Sequence, residues 1–303
     1  MSTVFIFGSN GFIGSNIAIK LATHGYKVYG QVRNASNASL LEKHEIIPVV
    51  ADYTDVDSWL PYVKKSDVVI DVIKYSPKEQ TILVETLKKV KKEDNPNLLA
   101  IYTSGIWMYG QQPGLFNEHS DRVKLEGFNL DQREIIEKEY INALNGVVVQ
   151  PGCLYGLTGS YFAPHYKLVT EGKGTFTYYG SHSQVISDVH IHDLVNAYLL
   201  VIQKQGVARG NRFLVSSYHE KLTDILNAIS KVSGVSIETY NFQPADKSNY
   251  GSIGLSLSSQ ADSTKIRNLL GWYPEHQSIV DGIERYYKSW KASYNPHAIS
   301  NGH

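Results

Sequence analysis

Cysteine is nearly missing from this chain: Cys153 is the only one among 303 residues. An internal disulfide is therefore excluded, and a reducing compartment suits the sequence. Net charge is missing too, because 29 basic residues are matched by 29 acidic ones. No nucleic-acid surface is expected from such a balance. The densest basic stretch, Lys88–Lys89–Val90–Lys91–Lys92, is mixed with apolar residues at helical spacing and reads as a solvated helix face. No apolar run approaches the roughly 18 residues that cross a bilayer, so no membrane partner is expected. The first strand-like run starts at Thr3, which leaves no room for a signal or transit peptide. The expected location is cytoplasmic.

What is present is the composition of a folded globular chain, 42% hydrophobic and 19% charged. Apolar, strand-like runs occur at 3–7, 27–32, 46–50, 67–73, 98–103 and 146–150. Amphipathic helical patterns lie between them, near 12–24, 37–44, 55–64, 77–92 and 129–143. Ser76–Pro77–Lys78–Glu79 reads as an N-cap, a first-turn proline and a capping-box glutamate. Strands that are apolar throughout and alternate with helices predict an α/β chain, with a doubly wound parallel sheet covered on both faces. After Gln150 the rhythm loosens, and residues 152–182 show no clear period. Helices are expected again near 192–204, 220–233, 262–270 and 278–292, and strands near 212–215 and 235–240. Residues 243–261 read as a polar loop, and those from Asn295 as a frayed tail. The organisation predicted is a Rossmann domain over 1–150, to which segments near 185–215 return. A smaller C-terminal substrate-binding region is formed from 151–184 and 216–295.

Gly8-Ser-Asn-Gly11-Phe-Ile-Gly14 follows the first strand and opens the first helix. In that setting one glycine makes the tight turn, one lets backbone approach a pyrophosphate, and one lets helix pack against strand. The helix N-terminus offers unpaired N–H groups and a positive dipole end to phosphate. Gly8, Asn10, Gly11, Phe12, Ile13 and Gly14 are thus the expected dinucleotide cradle. The second strand ends in Gln31–Val32–Arg33–Asn34, with no acid to bond an adenosine ribose. Arg33 instead suits a 2′-phosphate, which predicts NADP(H) in preference to NAD(H). After the third strand, Asp52 is placed to accept from the adenine amino group with Tyr53 beside it, and Asp55 to cap the next helix.

Further motifs follow in order: Tyr102-Thr-Ser-Gly-Ile-Trp-Met-Tyr-Gly110, Gln150-Pro-Gly-Cys-Leu-Tyr-Gly156, Val189-His-Ile-His-Asp193-Leu and Leu270-Gly-Trp-Tyr-Pro274. With the glycine loop, they make a chain that resembles the extended short-chain dehydrogenase/reductase superfamily, the NAD(P)-dependent epimerase/dehydratase group. The resemblance implies a nicotinamide cofactor, with Pro151, Gly152 and Leu154 beside its ring and Thr103 on the cofactor side. It implies that Asp193 anchors a helix. In that superfamily a Ser or Thr after the fifth strand and a Tyr-x-x-x-Lys motif carry the chemistry. Here the hydroxyl position falls on Gly105, next to Ser104, and the motif falls on Asn129-Leu-Asp-Gln-Arg133. A carboxamide cannot pass a proton, whereas Arg133 keeps the positive charge that would hold a ribose.

Other proton carriers are sought among residues just after the strands: Lys74, Tyr75, Ser104, Tyr109 and Tyr155. Lys74 is of interest if it is desolvated beside a cofactor. His190 and His192 are explained by the strand–helix junction they occupy, and no metal is expected. The chain is thus read as an NADP(H)-dependent oxidoreductase acting on a small carbonyl or alcohol, with a non-standard proton donor. A non-catalytic NADP(H)-binding sensor is the alternative. A homodimer through helices 77–92 and 129–143 is possible.

Overall fold

The computed structural model describes residues 2–158, 161–172 and 174–294, so the tail from Asn295 lies outside the described residues. Strands β1 (Thr3–Phe7), β2 (Lys27–Val32), β3 (Ile47–Val50), β4 (Val68–Asp71) and β5 (Leu99–Thr103) alternate with helices. The helices are α1 (Phe12–Thr23), α2 (Ala38–Glu42), α3 (Val56–Val63) and α4 (Pro77–Glu93). A short β6 (Leu115–Phe116) and α5 (Asp131–Lys138) precede β7 (Val147–Pro151) and β8 (Cys153–Tyr155). Then come α6 (Ala163–Glu171), β9 (Thr175–Tyr179), β10 (Val185–His190), α7 (Ile191–Gln203), α8 (Gln205–Ala208) and β11 (Asn211–Val215). The remainder is β12 (Tyr218–Lys221), α9 (Leu222–Ser233), β13 (Thr239–Gln243), α10 (Tyr250–Ser256), β14 (Gln260–Ala261), α11 (Thr264–Leu270) and α12 (Ile283–Ser293).

Seven strands form one sheet in the order β11-β7-β5-β4-β1-β2-β3, with every neighbouring pair parallel. The chain winds outward from β1 in one direction and from β4 in the other. That reversal opens a crevice at the carboxyl ends of the two strands, the place where doubly wound sheets take ligands. The alternation of side chains along β1 shows why both faces need helices. Val4 and Ile6 enter one core with α1 and α7, whereas Phe5 and Phe7 enter another with α3 and α4. All four are fully buried. Ile82 aside, the apolar stripe of α4 is spent on this second core through Leu83, Leu87 and Val90.

The C-terminal half carries a separate, aromatic-rich core in which α6, α9 and α12 cover a three-stranded sheet, β12-β10-β8. Here the structure corrects the sequence reading. The supposed polar loop 243–261 contains α10 and β14, and β10, expected only as the strand side of the His190–His192 junction, begins at Val185. Ser187 and Asp188 are wholly buried in β10, so polarity hid a strand whose backbone pairs on both sides. The helix expected over 129–143 is α5 followed by a π-helical turn, Glu139–Ala143. Ser76, Pro77 and Glu79 do start α4 as expected, yet the serine side chain caps nothing.

Candidate functional site

The glycine loop is built so that backbone can come close. Gly8 has a φ of 77°, in the left-handed region, and its carbonyl accepts from the Gly11 N–H at 3.0 Å. A Cβ on Gly14 would lie 2.2 Å from the Gly8 oxygen and 2.9 Å from Val72 Cγ2. No side chain caps α1 at Gly11, so its first-turn N–H groups remain open to an anion. Asn10 and Gly11 are exposed, and Phe12 and Ile13 half-buried. A residue the sequence reading passed over braces the loop. Gln31, fully buried, accepts from the Gly8 N–H at 3.1 Å and donates to the Ala51 carbonyl at 2.5 Å. Ser9, also buried, donates to the Gln31 carbonyl at 2.8 Å. The signal was available: a glutamine in an otherwise apolar strand needs partners.

At the outer end of this crevice Arg33 is exposed and close enough to Asp52 and Tyr53 for its charge to be felt by both. Asp52 Oδ1 accepts from the Thr54 N–H at 2.9 Å and the Thr54 hydroxyl at 2.6 Å. Those bonds hold its carboxyl below the usual range. Tyr53 is half-buried near Phe7, and burial pushes its phenol up to about 12. Asp55 stands at the N-cap of α3 but spends its carboxylate on Ser58.

At the inner end is a cleft of about 240 Å³ lined by Ser104, Gly105, Trp107, Arg133, the run Pro151–Leu154 and Tyr161. Two of these side chains have unmet needs. Ser104 Oγ and Arg133 Nε are both buried without a hydrogen-bond partner. Each such group costs about 1–3 kcal/mol until something binds it, so the wall is built for a polar ligand. The Arg133 guanidinium lies over the Tyr75 ring, 4.4 Å from its centre. Beneath it, at the end of β4, Asp71 is fully buried. Burial raises its carboxyl to about 7, against the pull of the Ile73 N–H, the Tyr140 hydroxyl and the Arg133 charge. Gly152 lies so close to β10 that a Cβ would stand 2.8 Å from the Ser187 carbonyl.

Several expected site residues are placed otherwise. Tyr109 is fully buried, donating to Gln150 Oε1 at 3.0 Å and packed on Phe116. It packs as a core residue, with no opening to the cleft. Tyr155 is likewise buried, bonded to the Gln277 carbonyl. Lys74 is exposed, so the desolvation that made it interesting is missing. Asn129 is exposed, and its Oδ1 accepts from the Asp131 N–H at 2.9 Å in an Asx turn leading into α5. It lines a second cleft of about 260 Å³, separated from the first by Trp107. Thr103 Oγ1 is paired with the Tyr198 hydroxyl at 2.6 Å, directed at α7 and away from the cleft.

A dinucleotide fits this crevice: an uncapped helix start faces it at one end, and orphaned polar atoms line it at the other. Residues 8–181, more than half of the chain, match the family described as NAD(P)H-binding. The uncharacterized protein C2A9.02 of Schizosaccharomyces pombe is 22% identical over 292 residues, 92% of this chain and 97% of that protein. A UDP-glucose 4-epimerase of Lactobacillus helveticus is 29% identical over 136 residues, 42% of this chain and 39% of the epimerase. Among solved structures, a variant UDP-glucuronic acid 4-epimerase from Bacillus cereus, in complex with a fluorinated UDP-glucuronic acid and NAD, has the same fold. Its TM-score is 0.79 at 20% identity, covering 96% of this chain and all of the other. Among the described residues no helix is long and apolar enough to cross a membrane.

Proposed function

The chain belongs to the NAD(P)H-binding family and has the fold of the extended short-chain dehydrogenase/reductases; from that premise we propose that it is an NADP(H)-dependent oxidoreductase. Its substrate is a small carbonyl or alcohol, and its site is the cleft at the ends of β5 and β7. One observation carries the reading: Ser104 Oγ and Arg133 Nε, buried and unpartnered, line the same cleft.

The cofactor, when bound, supplies or accepts a hydride. Gly8, Gly11 and Gly14 let the backbone close on its phosphates, and the open first turn of α1 binds them. Arg33 pairs with the 2′-phosphate, and Asp52 keeps one carboxylate oxygen for the adenine amino group. Arg133 holds the nicotinamide ribose and lends positive charge to an oxygen on which negative charge grows. The Ser104 hydroxyl donates to that same oxygen and orients the substrate. Asn129 cannot carry the proton, which exchanges with water in the open cleft. The segments beyond Gln150 form the substrate side.

The test is NADPH oxidation by the whole protein across aldehydes, ketones and enones. Turnover is expected, with Ser104→Ala losing about 100-fold or more in kcat while still binding NADPH. Tight NADPH binding without turnover of any substrate would sink the enzyme reading and favour a cofactor sensor. The Asx turn that occupies Asn129 is the observation on that side.

A further inference from the structure

Three histidines that do not line the cleft meet where the chain leaves β10 and enters α7. His190 and His192 come from that junction, and His276 from the loop between α11 and α12. One ring nitrogen of each lies within 4.8 Å of the other two. Behind them stands Asp193, fully buried. Its Oδ1 is 2.8 Å from His276 Nδ1 and accepts from the Glu275 N–H at 3.1 Å, while Oδ2 accepts from the His276 N–H. A carboxylate on Nδ1 keeps the ring proton there and leaves Nε2 with its lone pair free. That is the supporting arrangement behind metal-ligating histidines. His190 Nδ1 accepts from the His192 N–H at 3.2 Å, and its ring is buried. His192 is exposed, so the cluster is open to solvent.

We propose that His190, His192 and His276 bind a late first-row divalent cation such as Zn2+, with Asp193 orienting His276. Three imidazoles leave a fourth tetrahedral position for water. A purely nitrogen set selects Zn2+, Co2+, Ni2+ or Cu2+ over Mg2+ and Ca2+. His190 and His276 are stacked, 3.8 Å apart and 9° from parallel. Lone pairs in parallel rings do not converge, so binding tilts the His276 ring about its hydrogen bond to Asp193. The bound ion clamps the His276 loop to the start of α7.

The full chain, stripped of metal, is titrated with Zn2+ by calorimetry and with Co2+ by visible absorption. One ion per chain is expected, with the d–d bands of tetrahedral Co2+. His192→Ala changes an exposed side chain; it should leave the metal-free Tm unchanged and weaken Zn2+ binding about tenfold or more. His44→Ala, at an exposed histidine elsewhere, should change neither. Equal Zn2+ affinity in wild type and His192→Ala overturns the proposal, as does the absence of binding below millimolar Zn2+.

Discussion

Adding a single methyl group at Gly14 tests whether close backbone packing sets the cofactor loop. In Gly14→Ala the new carbon would stand 2.2 Å from the Gly8 oxygen, 2.9 Å from the Gly8 carbonyl carbon and 2.9 Å from Val72 Cγ2. Ordinary contacts are about 3.5 Å, so α1 must retreat from the loop by roughly 1 Å. The Gly8 carbonyl cannot yield instead. It is held by the Gly11 N–H, and its own residue is tied through its N–H to Gln31. Overpacking of this kind costs about 1–3 kcal/mol. The same retreat carries the first-turn N–H groups out of register with a phosphate, and each hydrogen bond to a charged group is worth about 1.5–3 kcal/mol. Losing one or two of them weakens NADPH binding by about 10-fold or more. The assay is urea unfolding together with NADPH titration followed by protein fluorescence. Gly206→Ala is the control, because a Cβ there meets nothing within 4 Å. If Gly14→Ala unfolds at the same midpoint as Gly206→Ala and binds NADPH as wild type does, the reasoning fails.

Four other expectations follow from the same geometry. Arg33→Ala should weaken NADPH about 10–100-fold and leave NADH unchanged; equal effects on both would remove the 2′-phosphate assignment. Gln31→Leu orphans the Gly8 N–H and the Ala51 carbonyl and should cost about 2–5 kcal/mol in denaturant unfolding; a loss under about 1 kcal/mol contradicts the brace. Tyr109→Phe should lose about 1 kcal/mol of stability with kcat intact, and a collapse in kcat would restore it as a catalytic residue. Asp71 gives a pH signature. Its folded carboxyl sits near 7, above the unfolded value of about 3.9. The folded state therefore holds more protons between those values. This contribution to stability is full below about pH 4 and is lost as pH rises through 7. Unfolding free energies measured from pH 4 to 7 should decline more steeply in wild type than in Asp71→Asn, and parallel curves would refute the assignment.

Much of the Rossmann half was legible in local pattern. The strand β1, the glycine loop and the helix α1 are consecutive in the chain. Their residue types are dictated by backbone geometry at Gly8 and Gly14, which no other residue satisfies. The apolar runs of β4, β5 and β7 declare a sheet buried on both faces, because water must be excluded from each side. Arg33 could be singled out because it ends a strand whose neighbours are known by order alone.

Other features are settled only by contacts distant in the chain. Tyr109 and Ser104 both follow β5 within one short segment, yet one hydroxyl is bonded to Gln150 and the other is left open in the cleft. No spacing rule separates them; the path of β7 does. Asp71 ends β4 and Lys74 follows it by three residues, yet burial raises the Asp71 carboxyl against the pull of Tyr140 and Arg133 while Lys74 is left exposed. His276 lies more than 80 residues from His192, with Asp193 joining them across that gap. Covalent neighbours fix backbone conformation within a few residues, so they reveal elements and loops. Burial, access and the partner of a polar atom depend on surfaces brought together by the whole fold, and there the chemistry of this chain is decided.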